Sequence, residues 1–416
     1  MYLIYQIVIT ILLIISPFVI LFRIINNKED KKRFIEKFSI YSEKRRRGKL
    51  IWFHGASVGE IMSIIPLIKN YEKNKSINQI LITSSTLSSS KIIKKFKFKK
   101  TIHQFYPIDH FLFTNKFLNY WKPSLAIFIE SEIWPYMFKN LKDKKIPLIL
   151  LNARITKKTF NRWSKIDFFS KSIFGMITIA YPQNLETKYF LKKIKTKKIN
   201  YIGNLKFAQN PEENLEKINK KLKFELNKKK VWVASSTHKN EEIFCANAHK
   251  ELKKKNKKLI TIIIPRHVHR ANEIALEMKK INLNVAYHSS KIQTLKNIDI
   301  YIVDTFGETK LFHKISSTVF LGGSIIKRGG QNPLEAARLG SKILHGPNTD
   351  NFKDVYKHLK LLNISKKINT PLQLASSIVF KKNKKSGKKI KKIGQKILNK
   401  TINELDNLIN NEFKKT

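Results

Sequence analysis

Cysteine is almost missing from this chain: Cys245 is the single one in 416 residues. One thiol excludes a disulfide framework and any multi-cysteine zinc site. Its setting, "EEIFCANAHKEL", has the look of the apolar side of a helix, so Cys245 reads as a small buried hydrophobe, and a reducing compartment fits. Acidic residues are scarce as well, 30 against 82 basic ones, which leaves a formal net charge of +52. Arginine is scarcer than that excess suggests, since 11 of the basic residues are arginine and 71 are lysine. Proteins that read nucleic acids lean on arginine for bidentate contacts. Here lysine runs such as "KIIKKFKFKK" and "ELKKKNKKL" are dispersed along the chain and read as solvated faces, in a composition biased toward Lys, Ile and Asn. A membrane-tethered nucleic-acid-binding protein is therefore disfavoured, and no specific nucleic acid is expected as a partner. A hydrophobic content of 42% supports a genuine core, and no repeat of a solenoid or propeller type is present.

Charge is absent from residues 2–22, "YLIYQIVITILLIISPFVILF". As a helix this run is roughly 30 Å long, the thickness of a bilayer core. It lacks the leading basic residues and the small-residue cleavage site of a secretory signal. Pro17 would kink it or make it re-entrant. Arg23, Lys28, Lys31, Lys32 and Arg33 follow at once, so the positive-inside rule places the body in the cytoplasm. A buried core helix is the competing reading; the length favours a membrane anchor.

Beyond residue 23, short β-rich runs alternate with amphipathic stretches, the signature of parallel sheets wrapped by helices. Strands are expected at Leu50–His54, Ile80–Ser84, Leu125–Glu130, Pro147–Asn152, Met176–Ala180 and Tyr201–Gly203. A second set is expected at Val231–Ser235, Leu259–Pro265, Ile298–Asp304, Thr318–Gly323 and Lys342–Leu344. The fold class is thus α/β, with two Rossmann-like domains facing a cleft behind an N-terminal anchor helix. The divisions are residues 1–23 for the anchor, 24–207 for the first domain and 208–229 for a polar linker. Residues 230–381 form the second domain and 382–416 a lysine-rich helical tail.

Two stretches carry chemistry. In "IWFHGASVGEI" (51–61), a strand runs through a tight bend at Gly55, Ala56 and Ser57 into a helix starting at Val58, with Glu60 in its first turn. A carboxylate at such a bend faces the crevice where open α/β sheets hold ligands, and equally complements the helix dipole; the stretch alone leaves both open. In "FLGGSIIKRGGQNPLEAARLG" (320–340), two glycine pairs precede a helix expected to start near Pro333, with Asn332 as its cap. Bare N–H groups at such a start bind phosphate, and Glu335 can accept from ribose hydroxyls; a glycine turn that merely packs a helix is the plainer reading.

With these residues in view, the chain resembles the 3-deoxy-D-manno-octulosonic acid (Kdo) transferases. The resemblance runs through "HGASVGE" (54–60), "IESEIWP" (129–135), "LLNARI" (150–155), "GNLKF" (203–207) and "ASSTHKNEE" (234–242). It continues in "IIPRHVHR" (263–270), "DTFGE" (304–308), "GGSIIKRGGQNPLE" (322–335) and "HGPNTDNFKD" (345–354). It implies a GT-B fold, an inverting transfer of Kdo from CMP-Kdo to the lipid A precursor, and neither metal nor other cofactor, CMP-Kdo being the donor substrate. It places the enzyme on the cytoplasmic face of the inner membrane, among that membrane's lipids. It makes Glu60 the general base toward the acceptor hydroxyl, and Glu130 and Lys206 supports of the transition state. It assigns Pro265, Arg266, Phe306, Gly307, Glu308, Asn332, Pro333, Leu334 and Glu335 to the CMP site. Gln331 stands where the family usually has His, and Phe306 where it has Met or Leu. A GT-B enzyme using a UDP-sugar on another lipid or cell-wall acceptor is the alternative. Among the plainer readings, Glu130 and Glu132 form a paired-charge loop, Arg154 a structural ion pair and His238 a helix cap. His267 and His269 lack the carboxylates of a metal site.

Overall fold

The structure, a computed structural model, describes residues 2–209, 219–290 and 294–413. Residues 210–218, within the stretch expected as a linker, lie outside the described residues. The chain divides into two compact units, Met1–Gln209 with Gly394–Thr416, and Asn210–Ile393.

In the first unit six parallel strands lie in the order β3-β2-β1-β4-β5-β6. They are β1 (Leu50–His54), β2 (Gln79–Ser84), β3 (Thr101–Phe105), β4 (Leu125–Ile129), β5 (Leu148–Ala153) and β6 (Ile179–Pro182). The order reverses direction between β1 and β4, and such a switch point opens a crevice at the carboxyl ends of the strands. Central strands of a parallel sheet are apolar on both faces. In β1, Leu50 and Trp52 enter one core, and Ile51 and Phe53 the other. The second core is closed by α2 (Val58–Tyr71) and by the far end of the Lys384–Phe413 helix, whose Leu405 and Ile409 are buried in it. That last helix begins in the second unit and from Gly394 belongs to the first. A Cβ on Gly394 would lie 2.0 Å from the Phe207 carbonyl oxygen, so only glycine fits that crossing.

In the second unit seven parallel strands are ordered β13-β12-β11-β7-β8-β10-β9. They are β7 (Lys230–Thr237), β8 (Leu259–Pro265), β9 (Val285–Tyr287), β10 (Ile300–Ile302), β11 (Thr318–Leu321), β12 (Lys342–His345) and β13 (Ser365–Lys367). Its switch point lies between β7 and β11. Cys245 is fully buried in the helix Glu241–Lys255.

Two Rossmann-like α/β domains are thus present, with differences in detail. Tyr201–Gly203 is not a strand; a single bridge, Ala180 to Ile199, stands near it. The strands β3, β9 and β13, short or at an edge, were not expected. The apolar N-terminal run forms one helix, α1 (Tyr2–Ile25), continuous through Pro17.

Candidate functional site

In the first unit the chemistry gathers at the carboxyl ends of β1, β4 and β5. The bend after β1 is pinned by the Gly55 N–H, which donates to the Thr83 carbonyl on β2. Ser57 caps α2, and its hydroxyl accepts from the Glu60 N–H at 3.4 Å while Glu60 Oε2 accepts from the Ser57 N–H at 3.2 Å. This reciprocal pair is a capping box, so Glu60 does hold the helix start. It is also electrostatically unusual. Its carboxyl is pushed up from 4.5 to about 7, by burial first and then by the charges of Glu132 and Glu130; the Ser57 hydrogen bonds oppose the rise. A carboxylate balanced near neutral pH is suited to accept a proton. The two readings left open by the sequence are compatible in one side chain.

Glu130 follows β4 with φ +58°, a left-handed conformation that non-glycine residues seldom adopt. Its backbone is held on both sides: its N–H donates to the Leu151 carbonyl, and its carbonyl accepts from the Arg154 N–H. Strain of this kind collects where a side chain must be aimed. The carboxylate is buried and lies 2.6 Å from Lys206 Nζ. Lys206 sits on a single turn of 3-10 helix, where Asn204 Oδ1 accepts from its N–H and Asn152 Oδ1 accepts from that of Leu205. The structure therefore brings Glu130 and Lys206 together from segments 76 residues apart in the chain.

The third carboxylate, Glu132, ends a relay that the sequence did not reveal. Trp52 Nε1–H donates to Thr83 Oγ1 at 2.9 Å, Thr83 Oγ1 meets His54 Nδ1 at 2.9 Å, and His54 Nε2 reaches Glu132 Oε2 at 3.1 Å. A carboxylate can only accept, so Nε2 donates to Glu132, while Nδ1 contacts both the hydroxyl and, at 3.3 Å, the carbonyl oxygen of Thr83. Trp134 Nε1–H donates to the same Glu132 oxygen at 2.9 Å. The signal was available in the first letter of "HGASVGE", His54, and in Glu132 and Trp134 of "ESEIWP". Glu130 and Glu132 are thus not an idle charge pair. Arg154 is half-buried, and among the described residues its guanidinium makes no hydrogen bond or ion pair, so the structural ion pair is not formed.

In the second unit the residues assigned to the donor follow the carboxyl ends of β8, β10 and β11. Arg266, just past Pro265, is exposed and without a side-chain partner among the described residues, its N–H donating to the Thr237 carbonyl. Phe306 is 81% exposed, and Gly307 has φ +90°. Glu308 accepts from the Thr305 hydroxyl and meets His288 Nε2 at 3.1 Å. Asn332 Oδ1 accepts from the Leu334 N–H at 3.1 Å, but the cap position is held by Pro333, not by Asn332 as expected. The helix that follows is only Leu334–Arg338. Glu335 lies 3.7 Å from His313 Nδ1 and is pushed up by burial, with Lys310 and Arg338 opposing. His313 is pushed down to about 3 by burial and then Lys382, so it is neutral.

The N–H groups that follow the first glycine pair, Gly322-Gly323, are not bare. Glu241 is fully buried beneath the loop, its Oε2 accepting from His238 and Gly323 and its Oε1 from Ser324 and Ile325. The Gly330 N–H is taken by the Gly323 carbonyl. An internal carboxylate thus occupies the nest after β11, and Arg266 and Arg328 are exposed cationic side chains close in the chain to these loops. Gly322 is obligatory, since a Cβ there would stand 2.4 Å from the Ser236 carbonyl oxygen. His238 caps no helix by its side chain; Asn240 is the residue before Glu241–Lys255, and it too makes no side-chain cap. Among the described residues no group of three or more His, Cys, Asp or Glu is arranged to hold a metal ion.

Comparison with known proteins follows the same division. Residues 32–209 match the family model described as 3-Deoxy-D-manno-octulosonic-acid transferase (kdotransferase). A 3-deoxy-D-manno-octulosonic acid transferase of Rickettsia bellii is 37% identical over 345 residues, covering 82% of this chain and 81% of the relative. A probable mitochondrial 3-deoxy-D-manno-octulosonic acid transferase of Arabidopsis thaliana is 33% identical, covering 88% and 85%. Among solved structures, a putative UDP-N-acetylglucosamine 2-epimerase from Listeria monocytogenes is similar with TM-score 0.58 at 13% identity, covering 89% of this chain and 98% of its own. A glycosyltransferase from Rickettsia africae is similar with TM-score 0.54 at 12% identity, covering 89% and 100%. At these identities the structures speak for the fold, which is GT-B-like.

Proposed function

The chain belongs to the 3-deoxy-D-manno-octulosonic acid transferase family, and from that premise we propose that it moves Kdo from CMP-Kdo to a sugar hydroxyl of the lipid A precursor, with inversion at the anomeric carbon. The observation that carries the reading is Glu60, held at the β1 switch point with its carboxyl pushed up to about 7 beside Glu130 and Glu132.

Ionised Glu60 takes the proton from the acceptor hydroxyl as that oxygen forms its bond to C2 of Kdo. The bond from C2 to the phosphate oxygen breaks, and its electron pair leaves with CMP. Positive charge develops on Kdo and negative charge on the departing phosphate, so preorganised charges on both sides lower the barrier. The Glu130–Lys206 pair is one such fixed charge arrangement. Arg266 meets the phosphate of CMP, and Glu335 accepts from its ribose, with Phe306, Gly307, Glu308, Asn332, Pro333 and Leu334 shaping the donor site. Protein cations fill the electrophilic role, so no metal or further cofactor enters the scheme. The apolar helix α1 and the basic residues after it support attachment to the cytoplasmic face of the inner membrane, where the lipid acceptor is made accessible.

The test is incubation of the purified chain with CMP-Kdo generated in situ and a tetra-acylated lipid A precursor, with products read by mass spectrometry. A mass increment of one or more Kdo residues is expected. Transfer from a UDP-sugar in its place, or inhibition by UMP equal to that by CMP, overturns the donor assignment.

A further inference from the structure

Helix α1 is long enough to cross a bilayer, yet both of its ends are tied to the first unit. Near its start, the Tyr5 hydroxyl donates to Asp109 Oδ2 at 2.6 Å. The Tyr2 and Tyr5 rings pack on Phe169, with centroids at 5.1 and 6.3 Å, and Tyr5 packs on Tyr136 at 5.4 Å. Near its end, Arg23 Nε donates to buried Glu29, which also pairs with Lys37, and the Lys37 carbonyl accepts from the Ile108 N–H. Ile108 and Asp109 are adjacent. The two ends of the helix, Tyr5 and Arg23, are roughly 27 Å apart along its axis, and both are linked to the same turn of the body. A helix standing across a membrane would carry the body at one end only.

The exposure pattern agrees. Tyr2, Tyr5, Ile9, Leu13, Ser16 and Ile20 are shielded, a stripe along one face, and Ile20 is 7% exposed. Thirteen large apolar side chains of α1, among them Leu3, Ile7, Ile11, Phe18 and Phe22, are exposed. The apolar surface continues onto the body beside the Tyr2 end. Phe168, next to Phe169, is 86% exposed; Leu112 is 63% and Phe111, which packs on Tyr136, is 40% exposed. An apolar surface of this extent marks a docking face. Exposed Lys28, Lys31 and Lys32 border it at the Arg23 end, the charge that anionic headgroups attract.

We propose that α1 does not span the membrane but lies flat in one leaflet, with both ends on the side of the catalytic body, and that Phe111, Leu112 and Phe168 enter the same leaflet. The occupant of this face is an anionic bilayer surface. A flat amphipathic arrangement of this kind is a monotopic anchor. The inference rests on the membrane attachment proposed above and concerns its topology.

Because Cys245 is the lone cysteine and is buried, single-cysteine labelling reads topology directly. One cysteine is placed in a short extension ahead of Tyr2, another by Asn26→Cys, each in the full-length chain in intact spheroplasts. Both should resist a membrane-impermeant maleimide until the inner membrane is permeabilised, and both should then react. Labelling of the extension in intact spheroplasts overturns the proposal and makes α1 a span. Recovery of the full-length chain in the soluble fraction overturns the attachment itself, a different outcome. A spin label at Phe168→Cys, on vesicles of phosphatidylethanolamine and phosphatidylglycerol, should be relaxed by oxygen in preference to a water-soluble nickel complex. The opposite preference removes Phe168 from the leaflet and overturns that part of the proposal.

Discussion

Replacing Glu60 by glutamine separates two jobs that one side chain performs. Glutamine completes a capping box as glutamate does, so the contact with the Ser57 N–H survives and the start of α2 stays held. What is lost is the capacity to take a proton. A positioned base contributes about 10²–10⁴-fold, and kcat should fall by about that much while CMP-Kdo binding is unchanged. The wild-type rate should show an acid limb centred near pH 7, where Glu60 ionises, and the residual rate of the variant should lack it. Stability supplies an independent check. The folded carboxyl holds its proton to about 7, whereas the unfolded chain releases it near 4.5. The unfolded state therefore binds fewer protons across that window, and wild-type stability falls as pH rises from about 4.5 to 7, then levels. Glutamine has no such loss. The melting temperature of Glu60→Gln, measured against wild type from pH 4.5 to 8, should gain ground up to about pH 7 and hold it beyond. Normal turnover, or an acid limb that persists in the variant, would refute the assignment and move the base to Glu130.

Glu130 is buried and its partner Lys206 only slightly exposed, so Lys206→Met should cost about 3–5 kcal/mol in urea unfolding by stranding a buried charge. The double variant Glu130→Gln/Lys206→Met should recover most of that stability yet remain slow, and full recovery of turnover would make the pair structural only. Arg266→Ala removes an exposed side chain with no partner among the described residues, so stability should change by less than about 0.5 kcal/mol while the apparent donor KM rises; an unchanged KM excludes it from the phosphate site. Glu241→Ala strands four backbone N–H groups at once, and at about 1–3 kcal/mol for each buried group left unpaired it should lower the unfolding midpoint far more than Arg266→Ala does. Equal midpoints would mean that the loop does not depend on that carboxylate.

Periodicity and turn chemistry made most of this architecture readable before any coordinates. Both central strands, the bend at Gly55–Ser57 and the start of α2 at Val58 follow from local apolar runs and a capping sequence. The ends of strands were less legible, because Glu130 leaves β4 through a left-handed turn that no local pattern announces. The relay from Trp52 to Glu132 joins β1, β2 and the loop after β4, and proximity of that kind is created by strand order. The first glycine pair of the loop is a related case. The carboxylate that takes up the amides there lies 82 residues earlier, at Glu241. The apolar N-terminal run shows a similar gap, for its composition speaks of a span and only the tertiary contacts of Tyr5 and Arg23 tie down both ends.

The last helix has a consequence for how this chain is made. Leu405 and Ile409 fill a core whose strands were synthesised more than two hundred residues earlier. Domains emerging from the ribosome ordinarily fold in order, the N-terminal one first. Here the first sheet to appear waits, with one face incompletely covered, until the second unit has been translated and the closing helix is released. That interval exposes apolar surface on a nascent chain whose leading helix is itself strongly apolar. Early engagement with the membrane during synthesis would shelter α1, while the open face of the sheet would make the growing chain a customer for chaperones until Leu405 and Ile409 arrive.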